Sequence, residues 1–260
     1  MKRDNIDKIA QNPEDRLLLA KVWDKINGGI RKNIPASTGF LSPREQELCR
    51  YLFGESEGLT FFGGYPDAER RMLCYLPDYL DASALEEDSP LCCLRASFYR
   101  EDSPCHRDFL GGLMGMGITR ETVGDILVDK ESCDFFVTEE LAPFLLQNFT
   151  EVGRIKLNLS QISLSQVKVP EAEIQEIRDT VASLRLDSII SSGFRIGRSA
   201  ASQYVAAGKA AIDGLPCDKP DKTISEGMKI SVRGLGKIKV HSVNGLTKKG
   251  RIPVVIHRYV

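Results

Sequence analysis

The chain has 260 residues, with 35 Lys and Arg against 36 Asp and Glu, and an apolar content of 42%. This length predicts two or three domains, and the absence of any apolar run of about 18 residues argues against a membrane span. Seven cysteines without a Cys-x-x-Cys pair indicate reduced thiols rather than a disulfide framework. Because the first residues also lack the apolar core of a secretory signal, we expect a cytoplasmic protein.

Residues 1–80 are predicted to form a mostly helical region. One amphipathic helix begins near Pro13 and carries its apolar residues at helical spacing. A second helix begins at Ser42, which together with Glu45 has the form of a capping box. Residues 58–65 follow as a possible strand.

Residues 81–165 are predicted to form a middle domain that opens with an acidic, turn-rich stretch. The predicted elements are strands at 91–98, 124–129, 133–137 and 154–159, and helices at 104–114 and from Thr138 onwards. This βαββαβ order is the ferredoxin-like arrangement that the RNA-recognition motif (RRM) shares. The third strand lacks the basic-Gly-aromatic pattern that stacks bases, so we expect Phe135 and Phe136 to pack in a core. Four arginines either contact phosphate or lie on a solvated surface: Arg95, Arg100, Arg107 and Arg120.

Residues 166–182 are predicted to link the domains, with a polar helix at 171–180. The charge then changes sign along the chain. Residues 183–260 contain 14 Lys and Arg against 5 Asp and Glu, whereas residues 1–182 contain 21 against 31. A basic block on a small folded unit is typical of a phosphate-binding surface.

Residues 183–260 are predicted to form two short helices followed by several short strands. Gly193 is the expected stop of the first helix. The second helix begins after Gly197, a permissible N-cap, and ends before Gly208. The Asp213-Gly214 pair then predicts a hairpin, and the alternating basic and apolar residues of 237–240 predict a half-buried strand.

An ordered series of residues in this part of the chain resembles a known module. The matching residues are Arg185-Leu186-Asp187, Arg198-Ser199, Ala201, Gly208-Lys209, Asp213-Gly214, Glu226-Gly227-Met228 and Ile230. They resemble the S4 domain, a small RNA-binding module named after a ribosomal protein. Two positions depart from its pattern, because S4 domains usually have Ser where Gly197 stands and Asn where Asp213 stands. Gly still serves at a helix cap and Asp still serves in a turn.

The resemblance extends beyond the S4 segment. The further matching segments are 111–120, 124–126, 180–187, 231–234 and 247–251. Together they are similar to the YlmH family of bacterial S4-domain proteins, which are encoded near division genes. The resemblance implies an α+β protein with a helical N-terminal region, an RRM-like middle domain and a C-terminal S4 domain. It also implies binding to ribosomal RNA or tRNA on the large ribosomal subunit, without a cofactor. Related S4 proteins act in the rescue of stalled large subunits that carry peptidyl-tRNA.

The basic residues of the C-terminal domain are the candidate RNA contacts. Arg198 is the preferred single residue, because a guanidinium binds phosphate bidentately. Ser199 and Gln203 lie one helical turn apart and can add neutral hydrogen bonds. The candidate RNA-binding residues are Arg185, Arg195, Arg198, Ser199, Gln203, Lys209, Arg233, Lys237, Lys248, Lys249 and Arg251.

Two alternative functions remain open from the sequence. The first is an RNA-modifying enzyme that uses the S4 domain as an anchor, because Arg185-Leu186-Asp187 is similar to the catalytic triplet of pseudouridine synthases. No domain-sized segment follows that triplet, so Asp187 is expected to have a structural or capping role. The second is a cell-division-linked adaptor that binds proteins through the acidic N-terminal part of the chain, residues 1–182.

Two other groupings predict neither a catalytic nor a metal site. Cys105 and His106 are adjacent in sequence, and adjacent residues rarely face each other as a nucleophile and its base. Cys92 and Cys93 do not combine with them in any established zinc-site spacing.

Overall fold

The computed structural model describes residues 5–54, 56–170, 174–247 and 250–259. The chain forms two compact units, Met1–Pro170 and Glu171–Val260. Within the described residues, no helix is long and apolar enough to cross a membrane.

The first part of the N-terminal unit combines three helices with a three-stranded antiparallel sheet. Its elements are α1 (Ile6–Ile9), α2 (Pro13–Lys32), β1 (Ala36–Leu41), α3 (Pro43–Phe53), β2 (Leu59–Phe62) and β3 (Arg71–Tyr75), with the sheet order β1-β3-β2. The predicted starts of α2 and α3 are confirmed. Asn12 caps α2, and Ser42 and Glu45 form the capping box of α3.

The prediction of a mostly helical region at residues 1–80 was incomplete, because it missed the strands β1 and β3. Leu73 of β3 packs with α2 and α3, whereas Met72 and Cys74 pack on the other side of the sheet. A strand that is buried on both faces shows no alternation of apolar and polar residues. The sequence therefore carried no period-two signal for β3.

The second part of the N-terminal unit contains a four-stranded antiparallel sheet. Its elements are α4 (Ala84–Glu87), β4 (Leu91–Ser97), α5 (His106–Gly115), β5 (Val123–Val128), β6 (Ser132–Thr138), α6 (Ala142–Asn148), β7 (Glu151–Val152), β8 (Ile155–Lys156) and β9 (Asn158–Ile162). The strand order is β5-β6-β4-β9. The predicted last strand at 154–159 lies partly in the small β7-β8 hairpin, and the strand that pairs with β4 is β9.

Both faces of this four-stranded sheet are covered. On one face, Phe135 packs with Phe109 of α5, Leu145 of α6 and their neighbours. On the other face, Phe136 packs with Phe40 of β1 and Met72 of β3, and stacks on Tyr65 with ring centroids 5.3 Å apart. Residues of the first 80 positions therefore occupy the face that helices leave open.

The C-terminal unit combines two helices with a six-stranded antiparallel sheet. Its elements are β10 (Ile174–Val181), α7 (Leu186–Phe194), α8 (Arg198–Ala206), β11 (Ala210–Ile212), β12 (Leu215–Cys217), β13 (Lys229–Val232), β14 (Gly236–Val243) and β15 (Ile252–Tyr259), with the sheet order β10-β15-β14-β13-β11-β12. The helices bury one face of the sheet, where Ile189, Ile190 and Val205 pack with Ile238 and Ile256.

The predicted linker helix at 171–180 was wrong, since residues 174–181 form the edge strand β10. Residues 171–173 lie outside the described part of the chain. Eight residues of β10 pair with β15, a strand more than 70 positions further along the sequence. Ile174 and Ile177 have the i, i+3 spacing of a helix face, and only the distant partner strand selects the extended conformation.

The residues that begin and end the helices of this unit were predicted with one error. Gly197 caps α8 and Gly208 follows its end at φ +66°. Gly193, however, lies inside α7, which ends at Phe194 with Arg195 in the left-handed conformation (φ 53°). A Cβ at position 193 would lie 2.7 Å from the Cδ1 of Ile238. Gly193 therefore permits close approach of α7 to the sheet and does not end the helix.

Candidate nucleic-acid interface

A groove of about 310 Å³ lies between β10 and the helix pair of the C-terminal unit. We call it the arginine groove, and its polar walls include Asp179, Ser188, Ser192, Arg195, Arg198 and Arg251. Three of these residues are arginines that the sequence predicted as RNA contacts. The tertiary fold brings Arg251 beside Arg195 and Arg198, although more than 50 positions separate them in the chain.

Asp187 holds two guanidinium groups at the start of the helix pair. Its Oδ1 lies 3.2 Å from Nε of Arg185, and its Oδ2 lies 3.2 Å from Nε of Arg198. Asp187 is only 4% exposed, whereas the side chains of Arg185 and Arg198 are 40% and 52% exposed. The buried carboxylate therefore fixes the two arginines by one edge and leaves much of each guanidinium accessible.

The charge of Asp187 is maintained by its partners. Burial of this carboxyl favours its neutral form, but hydrogen bonds from Arg185 and Arg198 outweigh that effect and hold the pKa below its ordinary value. Loss of either guanidinium would leave the buried charge of Asp187 poorly compensated. The carboxylate therefore keeps both arginines in place and serves as their anchor.

Short hydrogen bonds fix the remaining walls of the arginine groove. Ser192 Oγ donates to Asp179 Oδ2 at 2.8 Å and ties α7 to β10. Ser191 Oγ donates to the carbonyl of Ile196 at 2.7 Å and fixes the turn that carries Arg195. Arg251 Nε donates to Thr180 Oγ1 at 2.9 Å. The groove is thus held together without using the exposed Arg195 side chain.

The other predicted contact residues lie in three different places. Ser199 and Gln203 are exposed on α8. Lys209 and Arg233 lie together at the end of α8, since the Arg233 amide donates to the Lys209 carbonyl at 2.9 Å. Lys237 lies on β14, where its side chain points to the sheet face opposite Ile238 and the helices. Lys248 and Lys249 are outside the described residues.

Sequence reasoning missed the polar walls of the arginine groove. Asp179 and Thr180 were assigned to a linker helix, and only the pairing of β10 with β15 places them beside α7. Ser188 and Ser192 lie on α7 at i, i+4, a spacing that puts two hydroxyls on one helix face. That spacing was the available signal in the sequence.

Two arginines of the N-terminal unit have structural roles. Arg95 donates to Asp134 through Nε and Nη2 at 2.6 and 2.7 Å, and Asp134 is buried. Arg120 donates to the carbonyls of Val123 and Gly124 at 2.6 and 3.0 Å, and its burial lowers its pKa to about 10. These two guanidiniums are engaged with the protein itself, whereas Arg100 and Arg107 are exposed.

A second and larger cavity, of about 870 Å³, lies in the N-terminal unit between α2, β1 and the 3₁₀ turn Arg120–Thr122. Its walls carry cations such as Lys21 and Lys25, but also carboxylates such as Glu45 and Glu121. This mixture of charges is less suited to a polyanion than the arginine groove, despite the greater volume.

The residues of the alternative sites are separated by the fold. Cys92 and Cys93 are neighbours on β4 and point into different cores, and Cys105 is exposed. In the described part of the chain, no cluster of three or more His, Cys, Asp and Glu side chains is arranged to hold a metal ion. All seven cysteines are free thiols.

The fold and the groove define an α+β protein with a cationic surface on its C-terminal unit. A family model described as "Putative RNA-binding domain in YlmH" matches residues 103–166. The chain is 32% identical over 223 residues to the "Ribosome-associated protein quality control protein P2" of Bacillus subtilis, and the match covers 85% of this chain and 86% of that protein. The chain belongs to the YlmH family.

A solved structure shares the fold. The structure named "Cell division protein ylmH from Streptococcus pneumoniae" superposes with a TM-score of 0.52 at 22% sequence identity. The superposition covers 62% of this chain and 97% of that chain. At this level of identity the likeness concerns the fold alone.

Proposed function

We propose that this chain is a non-catalytic RNA-binding protein of the ribosome, in which residues 183–260 form an S4 domain and residues 81–165 form an RRM-like domain. The strand order β5-β6-β4-β9, with α5 and α6 on one face, supports the RRM-like assignment. Two short helices packed on an antiparallel sheet support the S4 assignment. The bacterial relative that is named as ribosome-associated supports the ribosome as the site of action.

The observation that carries the proposal is the set of arginines around the arginine groove. Asp187 pre-positions Arg198 of the groove and also holds the neighbouring Arg185, and Arg195 is exposed in the same groove as Arg198. Guanidiniums fixed before binding lose less conformational freedom when they contact phosphate. Asp187 in this role is too buried to reach a nucleotide, which favours an anchor over the nucleophile of a pseudouridine synthase.

The proposed ligand is ribosomal RNA or tRNA on the large ribosomal subunit. The name of the Bacillus subtilis relative points to quality control of proteins on the ribosome, and we propose that this chain serves the same process. In that process, stalled large subunits that carry peptidyl-tRNA would present both kinds of RNA to the arginine groove.

The test replaces Arg195 and Lys209 with Gln, because neither residue bonds to Asp187 and the anchor stays intact. We expect affinity for large ribosomal subunits to fall about tenfold at 0.15 M salt. We also expect the slope of log affinity against log salt to become shallower by about 0.7–0.9 for each lost phosphate contact. Binding would be measured by fluorescence anisotropy at several salt concentrations.

The matched control is Lys8→Gln with Lys32→Gln, which removes the same charge from exposed positions of the N-terminal helices. Crosslinking in cells, followed by sequencing of attached RNA, would identify the target. Reads on large-subunit ribosomal RNA or tRNA that disappear in the Arg195 and Lys209 variant would support the proposal. Unchanged affinity and diffuse reads in that variant would refute it.

A further inference from the structure

The open face of the six-stranded sheet concentrates lysines directly opposite one another. Lys229 on β13 pairs in register with Lys239 on β14, and Lys237 lies two positions before Lys239 on the same face. Like charges directly opposite on neighbouring strands destabilise a sheet. On this face the described strands offer one carboxylate, Glu176, and it bonds to Arg178.

Two histidine rings stack beside these lysines. The rings of His241 and His257 are 4.1 Å apart between centroids and nearly parallel, at 12°. His257 pairs in register with Lys239 and lies 3.7 Å from Glu176. His241 is exposed, so one flat ring face remains accessible at the surface of the sheet.

We propose that this open face, formed by Lys229, Lys237, Lys239, His241 and His257, is a second RNA-contact surface that takes an unpaired segment. Lysines attract the phosphate backbone, and exposed aromatic rings stack unpaired bases without strong sequence preference. The surface lies on the sheet face opposite α7 and α8, and is therefore separate from the contacts of the helix pair.

The combination of lysines and stacked rings favours RNA over an acidic protein as the ligand of this surface. An acidic protein would satisfy the lysines but would make no use of two stacked rings, whereas a nucleic acid strand supplies both phosphates and flat bases. The antiparallel sheet spaces its strands about 4.8 Å apart, so lysines on β13 and β14 flank the stacked rings of β14 and β15 closely. This inference rests on the proposed function only in naming RNA as the ligand.

The test uses the full chain and two fluorescent probes, a single-stranded oligoadenylate and a fully paired RNA duplex. Lys229→Glu with Lys239→Glu should weaken oligoadenylate binding about tenfold. His241→Ala should weaken it about fivefold, the loss expected for one stacked base, and His241→Phe should restore it because Phe keeps an aromatic face. Duplex binding should change much less in the histidine variants.

The controls separate failure of this inference from failure of the proposed function. Lys8→Glu with Lys32→Glu makes the same charge change away from this sheet and should leave oligoadenylate affinity unchanged. Photocrosslinking should attach nucleotides to residues of β14 or β15. If oligoadenylate binding is lost only in the Arg195 and Lys209 variant, and no crosslink forms on β14 or β15, the sheet surface is refuted and the proposed function stands.

Discussion

The two larger sheets of this protein are both antiparallel and both carry two helices on one face, but their other faces differ. The four-stranded sheet buries Phe136 and Cys93 against β1 and β3. The six-stranded sheet presents lysines and stacked histidines on its second face. In an RRM the second face is where aromatic side chains stack bases. Here that face is part of a hydrophobic core, and among the described residues a comparable polar face occurs only in the C-terminal unit.

The ion pairs repeat this contrast. Arg95 and Asp134 form a bidentate pair with side chains 19% and 2% exposed, so the guanidinium is used within the protein. Asp187 is also buried, but its partners Arg185 and Arg198 are 40% and 52% exposed. The same chemical pair therefore stabilises a core in one unit and positions a surface in the other.

The largest expected effect tests whether the covered face is a core. Phe136→Ala should lower the free energy of unfolding by about 3–5 kcal/mol, because it opens a cavity between the two sheets of the N-terminal unit. The RNA affinity of the folded protein should not change. Urea unfolding and anisotropy would measure the two quantities.

The matched control is Phe144→Ala on α6, where the ring is 45% exposed. This variant should change stability by only about 0.5 kcal/mol. A Phe136 variant that stays stable but loses RNA binding would show that this face stacks bases after all.

The second prediction concerns the anchor of the two exposed arginines. Asp187→Asn removes a negative charge near the proposed phosphate contacts, so simple electrostatics predicts tighter RNA binding. We expect weaker binding instead, because Arg185 and Arg198 lose the group that positions them. Stability at pH 7 should fall by about 1–3 kcal/mol, the cost of leaving buried hydrogen-bonding groups without their charged partner.

The pH dependence of this anchor has a definite sign. The pKa of Asp187 is lower in the folded state than in the unfolded state. Its contribution to stability is therefore complete above the unfolded pKa of about 3.9 and is lost as the pH falls through the lower folded value. Wild-type protein should therefore lose more stability than Asp187→Asn as the pH falls from 5 to below this folded pKa.

The matched control for Asp187→Asn is Asp134→Asn in the N-terminal unit, which should reduce stability without altering RNA affinity.

The smallest expected effect is a difference in thiol reactivity. Cys93 lies on the covered face, and burial raises the pKa of its thiol well above the ordinary range. Cys105 is exposed and Cys217 is half-buried. Brief treatment of native protein with iodoacetamide should modify Cys105 and Cys217 and leave Cys93 unmodified, as read by peptide mass spectrometry. Rapid modification of Cys93 would mean that the second face of the four-stranded sheet opens in solution.

Local signals predicted much of the fold. Capping residues located the starts of α2 and α3, and Gly197 and Gly208 located the ends of α8. The Asp213-Gly214 pair predicted the β11-β12 hairpin, in which Asp213 Oδ1 also accepts from the Lys229 amide at 2.9 Å. These features depend on residues a few positions apart, and their conformational preferences are visible in the sequence.

Three strands were not predictable in this way. β10 was assigned to a helix and β1 and β3 were missed, because their conformations depend on pairing and on burial of both faces. For the same reason, the sequence predicted only some of the residues of the arginine groove. Arg195 and Arg198 follow from the basic block, whereas Asp179 joins them only once β10 lies beside α7.

The sequence by itself determined that the C-terminal part is a basic unit of two short helices and short strands, since charge and capping are local properties. It also indicated the family, through the matching segments 111–120, 124–126, 180–187, 231–234 and 247–251. Only the tertiary structure decided which cations are engaged and which are exposed. That outcome depends on whether a carboxylate, a carbonyl or another sheet lies opposite each guanidinium, and the partners come from distant parts of the chain.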